Sequence, residues 1–185
     1  MPIEGGTELG VEALRARHGI APGAPVLLTV GRDDFVKGYD LLERAWRRVR
    51  ETVADAVWVG VGGAAPGRAE GRVITGPVPH DEVVSWIHAA DAGAMPSYYE
   101  GCGVAILEML SGGLYVLSHD VGIVGEVIRP GANGAIVARS AAAWTAALTE
   151  TLSRRPRGSG LDRAYHWDRI VESVEAVYGE ARSRQ

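Results

Sequence analysis

The stretch GRDDFVKG, residues 31 to 38, contains the chain's single lysine. All the other basic residues, out of a total of 19 Lys and Arg, are arginine. An arginine fork can bind two oxygens at once, whereas a lysine places a compact charge on a flexible stem. Arg32 and Lys37 together could therefore hold a phosphate group at a loop that Gly31 opens. The alternative is ordinary surface pairing with the nearby aspartates Asp33, Asp34 and Asp40.

A second stretch, PSYYEGCGVAILEML at residues 96 to 110, combines glycines with two glutamates. Gly101 and Gly103 flank Cys102 just before an apolar helical run, so the backbone amides there could turn toward an anion. Glu100 precedes the glycines and Glu108 interrupts the apolar run. A carboxylate in such a run is costly to bury without hydrogen-bond donors, and sugar hydroxyls are good donors. The alternative for Glu108 is a helix edge that faces water.

Six short, nearly continuous apolar runs must position these residues. Such runs are typical of strands that are covered on both faces of a parallel sheet. The runs are PVLLTV (25 to 30), AVWVGV (56 to 61), RVIT (72 to 75), AGAMP (92 to 96), LYVLS (114 to 118) and GAIVA (134 to 138).

Helical patterns alternate with these runs. One apolar face spans residues 41 to 53, a second helix follows Pro79, and two more are predicted at about 141 to 152 and about 162 to 181. This alternation predicts an α/β fold, a Rossmann-like doubly wound sheet of about six parallel strands. In such a sheet, ligands bind where strands end in loops that open helices, which is where both stretches lie.

Composition excludes several classes of protein. A net charge of -4 argues against nucleic-acid partners, and a single cysteine allows no internal disulfide. No leader-like start and no apolar run of about 18 residues is present, so we predict a cytoplasmic protein without a transmembrane segment. GVGGAA at 60 to 65 has dinucleotide-binding spacing, but Pro66 and Gly67 prevent the helix that must follow.

The five histidines are scattered and predict caps or surface groups rather than a metal cluster. His119 is the one that falls near the expected cleft. The histidines are His18, His80, His88, His119 and His166.

The ordered motifs resemble the donor-binding domain of retaining GT-B glycosyltransferases of family 4. The motifs are Gly-Arg and Lys-Gly within 31 to 38, Glu100-Gly-Cys-Gly with Glu108, Gly-Ile-Val-Gly-Glu at 122 to 126, and YHWDRIVESVEAVY at 165 to 178. The resemblance implies the C-terminal half of a two-domain enzyme that transfers a sugar from a nucleoside diphosphate sugar, with no bound metal and no other cofactor.

The resemblance also implies roles for individual residues. Arg32 and Lys37, beside Gly31, would bind the donor diphosphate, and Glu108 the ribose hydroxyls. Glu100 and the amides of Gly101, Cys102, Gly103 and Val104 would hold the sugar and a phosphate. Backbone near Gly76 and Val78 would read the base. Arg32, Lys37 and Glu100 would serve catalysis, because the leaving phosphate itself assists the acceptor hydroxyl and the protein stabilises charge.

Some positions depart from the family pattern. Cys102 replaces the usual phenylalanine, Ile123 stands where a second glycine is usual, and only ten residues, 62 to 71, separate two strands that a helix commonly connects. We expect residues 1 to 20 to be an interdomain connection with a short helix, 21 to 160 the donor domain, and 161 to 185 a helix that packs on an N-terminal domain missing from this chain. The nucleotide, the sugar and the acceptor stay open.

Two outcomes for function follow. The chain would bind a nucleoside diphosphate and transfer no sugar by itself, because the acceptor side is missing. The alternative is a non-catalytic nucleotide-binding or partner-docking module with the same fold.

Overall fold

A computed structural model describes residues 10 to 32, 34 to 63, 65 to 69 and 71 to 183, and it contains a seven-stranded sheet. The spatial order is β3-β4-β2-β1-β5-β6-β7. All pairings are parallel except that of β3, which runs antiparallel to β4 at one edge. The strands are β1 Val26–Val30, β2 Val57–Val61, β3 Gly67–Ala69, β4 Arg72–Gly76, β5 Ala92–Met95, β6 Tyr115–Ser118 and β7 Gly134–Ile136.

The predicted Rossmann-like α/β fold is confirmed, and each of the six apolar runs contains one parallel strand. The sequence did not predict β3, because its residues Gly67–Ala69 are all exposed and carry no apolar pattern. This short strand occupies the connection between β2 and β4, where the family resemblance leads one to expect a helix.

Seven α-helices surround the sheet in the described part of the chain. They are α1 Val11–Arg17, α2 Tyr39–Thr52, α3 His80–Ala89, α4 Val104–Ser111, α5 Val124–Val127, α6 Ala141–Arg154 and α7 Trp167–Ser183. The last helix begins five residues later than predicted, because Asp162 caps a single 3₁₀ turn, Arg163–Tyr165, and His166 then returns to extended backbone.

Five of the helices, α1 to α4 and α6, form two layers, one on each face of the sheet. Neighbours α2 and α6 cover one face, while α1, α3 and α4 lie against the other. Side chains alternate along the strands accordingly: Leu27 and Trp58 pack on the α2 side, and Val26, Leu28 and Val59 on the opposite side. Each fully buried side chain of this size contributes about 1.5 to 3 kcal/mol relative to exposure.

The strand order reverses direction at β1. From β1 the chain builds outward through β2 to β4, then returns to the other side of β1 to form β5. The loops that leave β1 and β5 are therefore neighbours at the carboxyl edge of the sheet. A reversal of this kind creates the crevice where open α/β sheets bind ligands.

These two loops pack closely at Gly38. The residue has a left-handed backbone with φ 67°, and a Cβ built on it would lie 2.1 Å from the carbonyl oxygen of Pro96. Nearby, the Tyr98 backbone amide donates to the Val36 carbonyl at 2.8 Å. Only glycine can join the β1 loop to α2 at this distance from the β5 loop.

The two ends of the described chain differ in their packing. Arg15 of α1 is buried, donates to the Ala89 carbonyl at 2.6 Å and forms an ion pair with Asp91 at 3.1 Å, so α1 packs against the end of α3. By contrast, α7 leaves an apolar stripe exposed. Its members are Trp167, Ile170, Val171, Val174, Val177 and Tyr178. Among the described residues, no helix is both long and apolar enough to span a bilayer.

We predict that Gly38→Ala lowers the free energy of unfolding by about 3 kcal/mol or more, because it adds a clash with Pro96 to left-handed strain. Gly23→Ala is the matched control, since Gly23 has φ 77° but no atom within 4 Å of its would-be Cβ. That change should cost about 1 to 2 kcal/mol, from strain alone. Urea unfolding monitored by tryptophan fluorescence measures both, and equal losses would contradict the close packing of the two loops.

Candidate functional site

Lys37 and Glu100 meet at the reversal point of the sheet. Lys37 Nζ lies 2.8 Å from Glu100 Oε1, and the Ser97 hydroxyl donates to the same oxygen at 2.7 Å. Both charged side chains are largely covered, with 20% and 11% of their surface exposed. The sequence placed the two residues on separate strand-end loops, and the structure brings them into one hydrogen-bonded group.

A single 3₁₀ turn, Phe35–Lys37, aims the lysine. Asp34 caps this turn, with its carboxylate accepting from the Lys37 backbone amide at 3.2 Å. At the end of β1, Gly31 has φ 146°, and a Cβ there would lie 3.4 Å from Lys37 Cε. The missing side chain of Gly31 thus leaves room for the lysine stem to lie along the strand end.

Arg32 lies apart from that group. Its side chain is 87% exposed and its guanidinium is 3.8 Å from the Asp34 carboxylate, so Arg32 shows the surface pairing that the sequence left as an alternative. Lys37 does not, because its partner is Glu100 rather than an aspartate. Asp33 lies outside the described residues. From this exposed position Arg32 can still rotate toward a ligand above the β1 loop.

The glycine loop opens α4 without a side-chain cap. Gly103 is the left-handed N-cap, with φ 90°, and among the residues that the structure describes no side chain caps the helix. Cys102 and Val104 are exposed, and nothing lies within 4 Å of a Cβ on Gly101. The positive end of the helix is therefore open to an anion at the same edge of the sheet.

The motif GIVGE, 122 to 126, supports this loop from below. Gly122 has φ 55°, and a Cβ there would lie 2.9 Å from the carbonyl oxygen of Cys102. The Ile123 amide donates to that same carbonyl at 3.2 Å. Sequence reasoning noted the motif only as part of a resemblance, and its structural task is to fix the backbone of residues 100 to 103.

Glu108 is half-buried on α4, with 26% of its side chain exposed. Its partner is His80 at the start of α3, whose Nε2 lies 2.8 Å from Glu108 Oε1. His80 is at the surface, as predicted, but its contact with a candidate site residue was not foreseen. The sequence gives no sign of this contact, because α3 and α4 become neighbours only when β5 is in the sheet.

Gly76 and Val78 follow β4, two strands away from β1 along the same edge of the sheet. Gly76 has φ 72°, and its carbonyl accepts from the Gly62 amide at 3.0 Å and from the Thr75 hydroxyl at 2.8 Å. Val78 packs against the core beneath. This turn therefore presents a fixed backbone at one end of the crevice.

His119 was expected to be a cap or surface group, and that expectation is wrong. The side chain is 1% exposed, with Nδ1 3.0 Å from the Ser97 carbonyl, and Trp144 Nε1 donates to Nε2 at 2.9 Å. Because the indole can only donate, Nε2 is the acceptor and Nδ1 carries the proton. Burial lowers the pKa of His119, partly offset by the Ser97 hydrogen bond. The neutral ring anchors the loop that carries Ser97 and Glu100.

Within the described residues, no group of three or more His, Cys, Asp or Glu side chains could hold a metal ion. The atoms gathered at the edge are an ammonium, a carboxylate, a hydroxyl and open backbone amides. These groups suit a ligand with phosphate oxygens and hydroxyls.

The chain matches the family described as glycosyl transferases group 1 over residues 24 to 154. Curated relatives include D-inositol 3-phosphate glycosyltransferases. The protein from Nocardia farcinica is 32% identical over 91% of this chain and 44% of its own length, and that from Geodermatophilus obscurus 34% identical over 91% and 43%. The chain thus spans less than half the length of these relatives.

Solved structures share the fold. Sucrose-phosphate synthase from Thermosynechococcus elongatus superposes with a TM-score of 0.77 at 23% identity, over 97% of this chain and 52% of its own. The C-terminal domain of a glycosyl transferase group 1 family protein from Francisella tularensis gives a TM-score of 0.66 at 21% identity, over 80% of this chain and 84% of its own.

We predict that the buried His119 makes the free energy of unfolding decrease as the pH is lowered. The folded ring resists protonation, so below the usual histidine pKa of 6.5 the unfolded chain binds the extra proton and the free energy of unfolding declines. The decline should continue until pH reaches the lowered folded pKa. His119→Gln should flatten the profile from about pH 6.5 down to the lowered folded pKa.

His88→Gln is the control, because His88 lies outside the Ser97 and Trp144 network. Burial also lowers the pKa of His18, which is retained in both variants and therefore contributes to both profiles. Chemical denaturation at several pH values measures the slope. An unchanged slope in His119→Gln would show that His119 does not titrate as its burial requires.

Proposed function

The chain belongs to the group 1 glycosyl transferases as a C-terminal GT-B domain, and on this premise we propose that it binds a nucleoside diphosphate sugar for retaining, metal-independent transfer by a family 4 enzyme. The observation that carries the proposal is the Lys37–Glu100 pair at the reversal point of the sheet. The pair holds one cation and one carboxylate side by side, facing the crevice where a donor would lie.

Lys37 keeps donors for a phosphate while it contacts Glu100. An ammonium has three N–H groups, and the contact with Glu100 Oε1 uses one of them. The remaining two can reach diphosphate oxygens, with Arg32 closing over them from the exposed loop and the uncapped amides of Gly101 to Val104 below. These groups place positive charge where the leaving diphosphate gains negative charge. In metal-dependent enzymes a bound metal ion stabilises such charge.

Glu100 holds the sugar in this proposal. Its Oε1 already accepts from Lys37 and Ser97, which fixes the carboxylate and leaves Oε2 for a sugar hydroxyl. Glu108 is arranged in the same way, because His80 contacts Oε1 and Oε2 can accept from a ribose hydroxyl. Backbone at Gly76 to Val78 meets the base at the far end of the crevice.

The proposed transfer retains the configuration at the anomeric carbon. The bond between the anomeric carbon and the diphosphate oxygen breaks, and its electron pair leaves with the phosphate. The acceptor oxygen bonds to the anomeric carbon on the same face, and its proton passes to the departing phosphate. Lys37 and Arg32 stabilise the charge on that phosphate, and no side chain acts as a nucleophile.

The acceptor side belongs to a second domain in this proposal. Residues 21 to 160 form the donor domain, and residues 161 to 185 carry the apolar stripe of α7, which the N-terminal domain would cover. The segment 1 to 20 would connect the two domains through α1. The exposed stripe of α7 and the partial coverage of the curated relatives support this division.

We predict that Lys37→Ala weakens binding of a nucleoside diphosphate and of pyrophosphate alike, each by about 1.5 to 3 kcal/mol, because both ligands lose a charged hydrogen bond. Arg44→Ala is the control: it removes the same charge from α2, where Arg44 pairs with Asp40 at 3.0 Å on the surface. Glu108→Gln should weaken binding of the nucleoside diphosphate, which has a ribose, more than binding of pyrophosphate. Isothermal titration calorimetry measures all of these, and equal affinity in Lys37→Ala and the parent would remove the phosphate role.

We predict that the chain alone binds donor but transfers no sugar. Positioning of the acceptor is worth about 7 to 11 kcal/mol of barrier, and in this proposal the closing wall of the cleft belongs to the second domain. Release of nucleoside diphosphate from the sugar donor, measured with and without an added N-terminal domain of a relative, tests this. Activity should appear only with both parts.

Transfer by the chain alone at the rate of a two-domain relative would contradict the division into halves. Donor binding without transfer, even in a two-domain protein that carries this chain, would instead favour the non-catalytic nucleotide-binding module.

A further inference from the structure

The sheet has an uncovered area beside α2. The crossover from β1 to β2 places α2 on one face, and a helix between β2 and β4 would lie next to it by the same right-handed rule. That connection instead contains the short antiparallel strand β3 at the edge. The surface over β2 and β4 is therefore open where a second helix would have packed.

A cavity of about 490 Å³ occupies this area. Its floor is aromatic: the Trp46 and Trp58 rings pack edge to face with centroids 6.1 Å apart, and the Arg72 guanidinium lies 4.2 Å from the Trp58 ring centroid. Its size falls within the range of about 300 to 1,000 Å³ that is typical of small-molecule sites.

The side chains that line the cavity carry more positive than negative charge. Arg47, Arg50 and Arg72 face one carboxylate, Glu43, which pairs with Arg72. Among the described residues, neither Arg47 nor Arg50 has an acidic partner within ion-pair distance. Within the described ranges, the guanidinium groups of Arg47 and Arg50 thus have no ion-pair partner, and they lie beside the guanidinium of Arg72, which Glu43 holds in place.

The backbone is shaped to hold one of these arginines. Gly71, just before β4, has φ 74°, and a Cβ there would lie 1.4 Å from Arg50 Nη1. Any other residue would push the guanidinium out of this position. Arg50 is thus seated at the rim of the cavity, rather than extended into solvent like the neighbouring Arg48.

Two donors at the floor lack partners. Arg72 Nε and Trp46 Nε1 are buried and make no hydrogen bond in the described structure. Unpaired buried donors are uncommon and costly, and both of these can only donate. Both side chains line the cavity, where a ligand could supply acceptor oxygens.

We propose that this cavity is a second ligand site, separate from the donor crevice, and that it binds a phosphate-bearing small molecule. A phosphate group offers several acceptor oxygens to the forks of Arg47 and Arg50, which match its geometry. The indole rings and arginine stems supply an apolar surface for the body that carries the phosphate. The site lies on the α2 face of the sheet, so it does not depend on Lys37 or Glu100.

Inorganic pyrophosphate is the test probe, with the Lys37→Ala chain used to weaken the donor site. The indole N–H resonance of Trp46, assigned with Trp46→Phe, should shift and saturate during titration. Arg50→Gln in the same background should weaken that titration about tenfold, the loss expected for a charged hydrogen bond. Arg48→Gln, on the same helix but outside the cavity, should leave it unchanged.

Two results would overturn the site. The Trp46 resonance could stay fixed at millimolar pyrophosphate, which would show that nothing binds there. Arg48→Gln could weaken the titration as much as Arg50→Gln, which would show general attraction to the arginines of α2. A normal titration of Trp46 with no nucleoside diphosphate bound by the parent chain would support this site while contradicting the donor proposal.

Discussion

The contact between Lys37 Nζ and Glu100 Oε1, 2.8 Å long, joins residues 63 positions apart in the chain. It forms only because the sheet reverses direction at β1 and brings the β1 and β5 loops together. A pair this covered contributes little net stability, since the desolvation of both ions offsets most of their attraction. Stabilisation of the domain is therefore a weak explanation for its placement, and the proposed donor would use both charges.

Several neighbouring features hold this pair in position. On the lysine side, Gly38 permits the close approach to Pro96, and Gly31 leaves space for the lysine stem. On the glutamate side, Ser97 fixes the carboxylate, and the buried ring of His119 fixes the Ser97 backbone through Trp144 of α6. Anchors of this kind keep a binding geometry in place before the ligand arrives.

The sequence predicted the layout of the fold well, because parallel strands covered on both faces are apolar at nearly every position. It could not predict β3, whose exposed residues lack that pattern and which pairs only because β4 leaves an edge open. Strand-end placement of Lys37 and Glu100 followed from the same reasoning, but their contact depends on strand order. The prediction for His119 was wrong because its partner Trp144 lies 25 residues later in the chain, on α6, and no local sequence pattern connects the two residues. Arg32 differs in the opposite way. Its residue type suggested a phosphate ligand, but the loop leaves its side chain exposed.

A crystal structure of the chain with a bound nucleoside diphosphate tests the central claim most directly. The diphosphate should lie at the carboxyl ends of β1 and β5, with an oxygen about 2.7 to 2.9 Å from Lys37 Nζ, the range of a charged hydrogen bond. The ribose should lie toward Glu108 and the base toward Gly76. A diphosphate bound elsewhere, with Lys37 still paired only to Glu100, would contradict the assignment of the donor site.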